Sequence, residues 1–185
     1  VLSNYAKHYE TGETIPAEMI EKIESAAKFN QGYDFGEVVE AALLDMKWHA
    51  LSPEEARALV GNPEAVSAFE RKSLTDLGLE VDLVPPRYRS TYFNHIFSSP
   101  AGYSAGYYSY LWTQMLDHDS RDWMRENGGL SREAGQHMRD TVLSRGGTMD
   151  YYDMYRGFAG REPDVKYMLE ALGLSGGSSE GEEAA

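Results

Sequence analysis

The sequence predicts an all-α protein. Apolar residues recur at steps of three and four along most of the 185 residues, no stretch sustains the alternation of a half-buried strand, and Gly, Pro and Asn cut the pattern into helix-length segments. The length suits one domain or one large piece of one, and is enough to bury a sizeable core.

After Thr11-Gly12-Glu13, Pro16 stands where a first helical turn tolerates a missing N–H, and Met19, Ile20, Ile23, Ala26 and Ala27 share one face. This helix is expected to stop between Asn30 and Gly32. A second opens at Tyr33 or Asp34 and carries Val38, Val39, Ala42, Leu43 and Met46, with Trp48 near its end. Its two apolar flanks predict deep burial. Ser52-Pro53-Glu54-Glu55 combines a hydroxyl cap, a proline at the first position and a carboxylate three residues after the cap, which predicts a short helix through Val60. Asn62-Pro63 repeats the start signal, with Ala65, Val66 and Phe69 on the apolar side. Val84-Pro85-Pro86 forces an extended connection, because each proline biases the residue before it away from helix.

The longest helical pattern runs from about Ser104 to Arg125. Further helices are expected at 131–144, 150–158 and 163–172, with Gly146-Gly147 and Gly173 as stops and Pro163 as a start. The segment 175–185 holds no large apolar residue to offset the entropy of ordering it, so a disordered acidic Gly/Ser tail is expected after a folded region spanning 1–174.

Seventeen Lys and Arg against thirty Asp and Glu give a formal charge of −13, which repels phosphate backbones and anionic headgroups and argues against nucleic acid and membrane as partners. The absence of cysteine removes disulfides, thiolate metal sites and thiol nucleophiles together, and a reducing cytoplasm is the default compartment. The apolar runs are broken well before the roughly 18 to 20 residues a membrane helix needs. Val1-Leu2-Ser3-Asn4 has neither an initiator Met nor the pattern of a signal peptide, and the chain is read as cut from a longer one. The histidines His8, His49, His95, His118 and His137 lack the spacing of a helical zinc pair, and no phosphate loop, dinucleotide glycine fingerprint or Gly-x-Ser-x-Gly elbow is present.

Chemistry concentrates in Tyr92-Phe93-Asn94-His95-Ile96-Phe97 and, after a Ser-Pro-Gly loop, in the block from Tyr103 to Trp112, where Tyr103, Tyr107, Tyr108 and Tyr110 fall within eight residues. At about 100° per residue Tyr103, Tyr107 and Tyr110 lie within about 60° of one another, while Tyr108, Leu111, Trp112, Met115 and Leu116 occupy another sector, the expected core face. A separate stripe of phenols can donate hydrogen bonds to a developing oxyanion while its rings pack against substrate. Gly102 and Gly106 would keep the backbone mobile beside it, and His95 is a candidate second donor. Spacing alone leaves the opposite reading open: aromatics in a core, glycines that permit tight helix packing, and a structural histidine.

Pro85-Pro86-Arg87-Tyr88-Arg89, Phe93-x-His95, the Gly102-to-Trp112 block and Phe158-x-Gly160-Arg161-Glu162-Pro163 together resemble the C-terminal part of the thimet oligopeptidase family, its bacterial peptidyl-dipeptidase branch in particular. Leu2-Ser3-Asn4-Tyr5-Ala6-Lys7-His8-Tyr9 and Phe29-Asn30-Gln31-Gly32 extend the likeness over residues 1 to about 174. The resemblance implies a multi-helix, C-terminal part of a zincin-type, two-lobed helical metallopeptidase that hydrolyses short peptides, with release of C-terminal dipeptides. It implies zinc in the full-length parent, held by a His-Glu-x-x-His helix and a downstream Glu that both precede Val1. This chain is therefore expected to bind no metal and to be inactive alone, and its missing N-terminal part is an expected partner. Matched position by position, Tyr110 is the oxyanion donor, His95 and Tyr103 hold substrate or support that charge, and Tyr107 is a further peptide contact. Arg87, Arg89 and Arg161 are candidate forks for a substrate carboxylate, but salt bridges within the fold are the expected role. The alternative is a noncatalytic helical module that binds peptides in a phenol-lined groove.

Overall fold

The computed structural model describes residues 2–175. The expected disordered tail, apart from Ser175, lies outside the described residues. Among them the regular structure is helical, with isolated antiparallel bridges at Lys7–Thr14 and Val81–Val84. No helix among them is long and apolar enough to cross a membrane.

A short turn, α1 (Leu2–Tyr5), leads to α2 (Ala17–Ala26), which follows an extended Pro16. α2 stops earlier than expected. Asn30 adopts a left-handed conformation (φ 59°) and Gln31 Nε2 donates to the Ala27 carbonyl at 2.9 Å, so the next helix, α3 (Gln31–His49), begins before Tyr33. The side chains buried on α3 are Glu40, Ala41, Ala42, Leu44 and Asp45, while Met46 is half exposed. The small Ala41 and Ala42 admit Phe93, Ile96 and Tyr107 against the helix, which centres the core there and not on the expected valines. Val38, Trp48, Tyr88 and Leu111 pack around that cluster. Full burial of a side chain such as Phe93 or Ile96 contributes about 1.5–3 kcal/mol.

Both proline-opened helices form as their start signals predict. In α4 (Pro53–Leu59) the Glu55 N–H donates to Ser52 Oγ at 3.3 Å and the Ser52 N–H to Glu55 Oε2 at 2.8 Å. In α5 (Pro63–Asp76) Asn62 Oδ1 accepts from the Ala65 N–H at 3.0 Å. After the extended Pro85-Pro86, a 3₁₀ turn (Ser90–Tyr92) and a one-turn helix, α6 (Asn94–Phe97), approach the core. Glu70 on α5 fastens this segment: its Oε2 accepts from the Ser90 N–H at 2.7 Å and Oγ at 2.8 Å, and its Oε1 pairs with Arg89. Ser90 Oγ in turn accepts from Trp48 Nε1 at 2.9 Å.

The helix expected from Ser104 begins later, as α7 (Ser109–Glu126); residues 101–108 are turns, and α3, at 19 residues against 18, is the longer helix. Tyr108 therefore lies outside the helix and its direction is not set by the helical wheel. It is half exposed, as Trp112 is in part, while Leu111, Met115 and Leu116 are half buried. The fully buried residue of α7 is Asp119. Its Oδ2 accepts from Arg161 Nη1 at 2.9 Å and from the Asp164 N–H at 2.7 Å, and Arg161 Nη2 stands 2.5 Å from Oδ1. These contacts hold the strand-like 161–164 segment beside α7. α8 (Arg132–Met138) continues as a π-helical turn (Arg139–Leu143) before α9 (Tyr151–Ala159). The last helix, α10 (Lys166–Leu172), does not start at Pro163. Val165 occupies the cap position, Asp164 Oδ1 accepts from the Lys166 N–H at 2.9 Å, and Gly173 ends the helix in the left-handed region. Trp123 packs on Phe158 at 4.5 Å and on His137 at 5.0 Å, and buried Met154, Tyr155 and Met168 complete this second apolar region.

One buried acid lacks such partners. Glu40 is 3% exposed, its Oε2 has no hydrogen-bond partner, and burial, with Glu37 nearby, pushes its carboxyl from the ordinary 4.5 up to about 7. The protonated form is the one the fold prefers, so its contribution to stability is complete below pH 4.5 and is lost as pH rises through 7. Glu40→Gln is expected to raise stability by up to about 3 kcal/mol at pH 8 and by little at pH 4.5. Urea unfolding at the two pH values measures the difference, and equal shifts at both would contradict the assignment.

Candidate functional site

The site is built from the bottom of an aromatic stack. Phe93 is buried, and Tyr88 stacks on it with ring centroids 5.1 Å apart. Tyr107 meets Phe93 edge-on at 5.0 Å and His95 at 5.6 Å, and His95 sits 4.8 Å from the Tyr88 ring. Above this base, Tyr103 and Tyr110 stack on each other at 5.3 Å, with Tyr107 5.1 Å from Tyr110 and His95 6.0 Å from Tyr103. The fold thus brings together all four residues singled out in the sequence: His95, Tyr103, Tyr107 and Tyr110.

Their exposures separate them. Tyr103 and Tyr110 are 38% and 43% exposed, His95 is half buried, and Tyr107 is 4% exposed within the core. The expected substrate contact by Tyr107 meets a geometric obstacle, because its ring is covered by Phe93, Tyr88 and its tyrosine neighbours. His95 Nδ1 is buried with no hydrogen-bond partner, leaving one ring nitrogen of the predicted donor unengaged.

The chain is led into this arrangement by a tight turn. Tyr103 N–H donates to the His95 carbonyl at 3.2 Å, Gly102 N–H to the Ser99 carbonyl at 3.0 Å, and Ser104 Oγ to the Ile96 carbonyl at 2.9 Å. A Cβ on Gly102 would stand 3.2 Å from the Ser99 oxygen and 3.4 Å from the His95 oxygen. Glycine suits this close approach of backbone to backbone, since a side chain would push the facing carbonyls back by a few tenths of an ångström. The left-handed conformation falls on Ala105 (φ 52°), at a cost of about 1–2 kcal/mol for a residue with a Cβ.

The compensation comes from Asp45, which the sequence reading did not single out. Its carboxylate is fully buried: Oδ1 accepts from the Ala105 N–H and Oδ2 from the Tyr107 N–H, both at 2.9 Å, and His49 Nδ1 lies 2.7 Å from Oδ1. These two bonds, with the left-handed Ala105, hold a turn where the expected Ser104 helix would begin, and α7 starts at Ser109. The signal was present in the sequence: Asp45 lies in register with Val38, Ala41 and Ala42, and a carboxylate on a buried stripe needs donors from elsewhere.

The electrostatics favour hydroxyl donors. The neighbouring Tyr103 phenol, which favours the protonated form, holds the Tyr110 phenol above its ordinary range. Burial raises Tyr107, partly offset by the Arg87 guanidinium. Both remain protonated at neutral pH and able to donate. Arg89 and Arg161 are engaged with Glu70 and Asp119, as expected for salt bridges within the fold.

The chain is 46% identical over 174 residues to a dipeptidyl carboxypeptidase of Salmonella typhimurium and 44% identical over 175 residues to that of Escherichia coli. The alignments cover 94% and 95% of this chain and 24% of each relative. Oligopeptidase A of Escherichia coli is 34% identical over 173 residues, covering 91% of this chain and 24% of the relative. The chain spans about a quarter of the length of the curated relatives it matches. The sequence profile of peptidase family M3 matches residues 1–174, and the chain belongs to that family.

Proposed function

We propose that this chain is the substrate-facing C-terminal part of a cytoplasmic zinc peptidase that hydrolyses short peptides and releases C-terminal dipeptides. The observation that carries the reading is the stacked pair Tyr103–Tyr110, both partly exposed to solvent and packed beside the buried Tyr107 ring. Tyr110 donates its O–H to the oxygen that becomes negative when a peptide carbonyl is attacked. A pre-positioned phenol stabilises that oxygen more than the ground-state carbonyl, and so acts on turnover more than on binding. Tyr103 and His95 contact the substrate beside it, and Tyr107 backs Tyr110 from below.

The described residues do not fit a zinc site: among them no three His, Asp or Glu side chains stand together as a ligand set. The metal belongs, on this proposal, to polypeptide outside the chain, and the roles assigned here are hydrogen bonding and substrate contact. The names of the two most similar relatives quoted above support dipeptide release, and oligopeptidase A supports the wider class of peptide hydrolysis.

In the full-length protein, Tyr110→Phe is expected to lower kcat on the order of 10²- to 10³-fold with KM little changed. Steady-state kinetics on a short peptide reads both; an unaltered kcat removes Tyr110 from the reaction. Amidating the C-terminus of the same peptide is expected to abolish cleavage. If the amide is cut at the original rate, dipeptide release is wrong and internal cleavage replaces it. A full-length protein that binds peptides but never hydrolyses them, with zinc supplied, would favour the noncatalytic module.

A further inference from the structure

The reading of Tyr103 and Tyr110 as substrate-facing donors requires a turn that holds their hydroxyls in one place, and on that reading we infer that Asp45 is the positioning residue for the pair. Asp45 touches neither ring. It acts on the backbone between them, taking the Ala105 and Tyr107 N–H groups with separate oxygens of one carboxylate. Those two bonds fix the turn on both sides of Gly106. The Ala105 bond holds a left-handed residue that an alanine would otherwise leave, and the Tyr107 bond seats that ring in the core, from which Tyr110 follows one helical turn later.

The chemistry of the side chain is specific to this task. A carboxylate offers two acceptor oxygens and no donor, and the turn presents two N–H donors two residues apart. Asparagine has the same shape but one acceptor, so its NH₂ group would oppose an N–H of the turn. His49, one helical turn after Asp45, places Nδ1 2.7 Å from Oδ1 and 3.3 Å from the Ala105 nitrogen, beside the same oxygen and the same N–H. Asp45 is anchored on α3, whose Ala41 and Ala42 face Tyr107 in the same core. The helix, the carboxylate and the turn form one continuous support for the phenols.

The test uses the full-length protein with Asp45→Asn, alone and combined with Tyr110→Phe. Asp45→Asn is expected to lower kcat about 10- to 100-fold with KM changed less than about threefold, and to speed amide hydrogen exchange in the peptide covering 103–108. Because Asp45 acts through the phenols, its effect in the Tyr110→Phe background is expected to shrink to about threefold or less. Losses that multiply in full, or exchange at 103–108 that stays as slow as before, would overturn the inference. Ala105→Val strains the same turn without touching the carboxylate and serves if Asp45→Asn does not fold. A loss confined to kcat is expected, and an unchanged kcat would count against the turn as the support. If Tyr110→Phe alone leaves turnover intact, the proposed function fails, while exchange at 103–108 still decides whether Asp45 holds the turn.

Discussion

Two hydrogen bonds from one buried carboxylate to the backbone decide the shape of this chain around its tyrosines. A polar side chain at zero exposure is costly unless its oxygens are engaged, and Asp45 meets that condition through the Ala105 and Tyr107 N–H groups. The requirement works in both directions. The turn needs acceptors for the Ala105 and Tyr107 N–H groups, and the helix needs donors for the buried oxygens of Asp45. Glu70 and Asp119 repeat the arrangement, each taking a backbone N–H and an arginine from an irregular segment, at Ser90 and Arg89 in one case and at Asp164 and Arg161 in the other. Helices supply the carboxylates, and the non-helical stretches carrying the family-like motifs are tied to them.

Much of this was legible in the sequence where the cause is local. Ser52 with Glu55 and Asn62 with Pro63 set helix starts within three or four residues, and both form as read. The clustering of His95, Tyr103, Tyr107 and Tyr110 was also legible, because short spacing keeps the rings together whether or not the backbone is helical. What escaped was the consequence of contacts across 60 or more residues. Helical periodicity carried the expected start of α7 to Ser104, whereas the left-handed Ala105, bonded to the distant Asp45, forms a turn there and α7 starts at Ser109. The same cause misassigned Tyr108 to the core face. At Pro163 the local signal was real but outcompeted, since the Asp164 N–H is held by Asp119 and the helix starts only at Lys166.

The division between buried and exposed phenols gives the site a base and a working face. Tyr107 shares the interior with Phe93 and Ile96, while Tyr103 and Tyr110 keep part of their surface open to solvent. Stacking at 5.3 Å restricts the ring motions that would blur the hydroxyl positions. Gly102 contributes by letting the His95 and Ser99 carbonyls close on the turn, a steric role different from the mobility its neighbourhood suggested.

The three carboxylates share a further property, the order in which they occur. Asp45 precedes the turn it grips by 60 residues, Glu70 precedes Ser90 by 20, and Asp119 precedes Asp164 by 45. During vectorial synthesis each receptor therefore leaves the ribosome ahead of the stretch of chain it will bind.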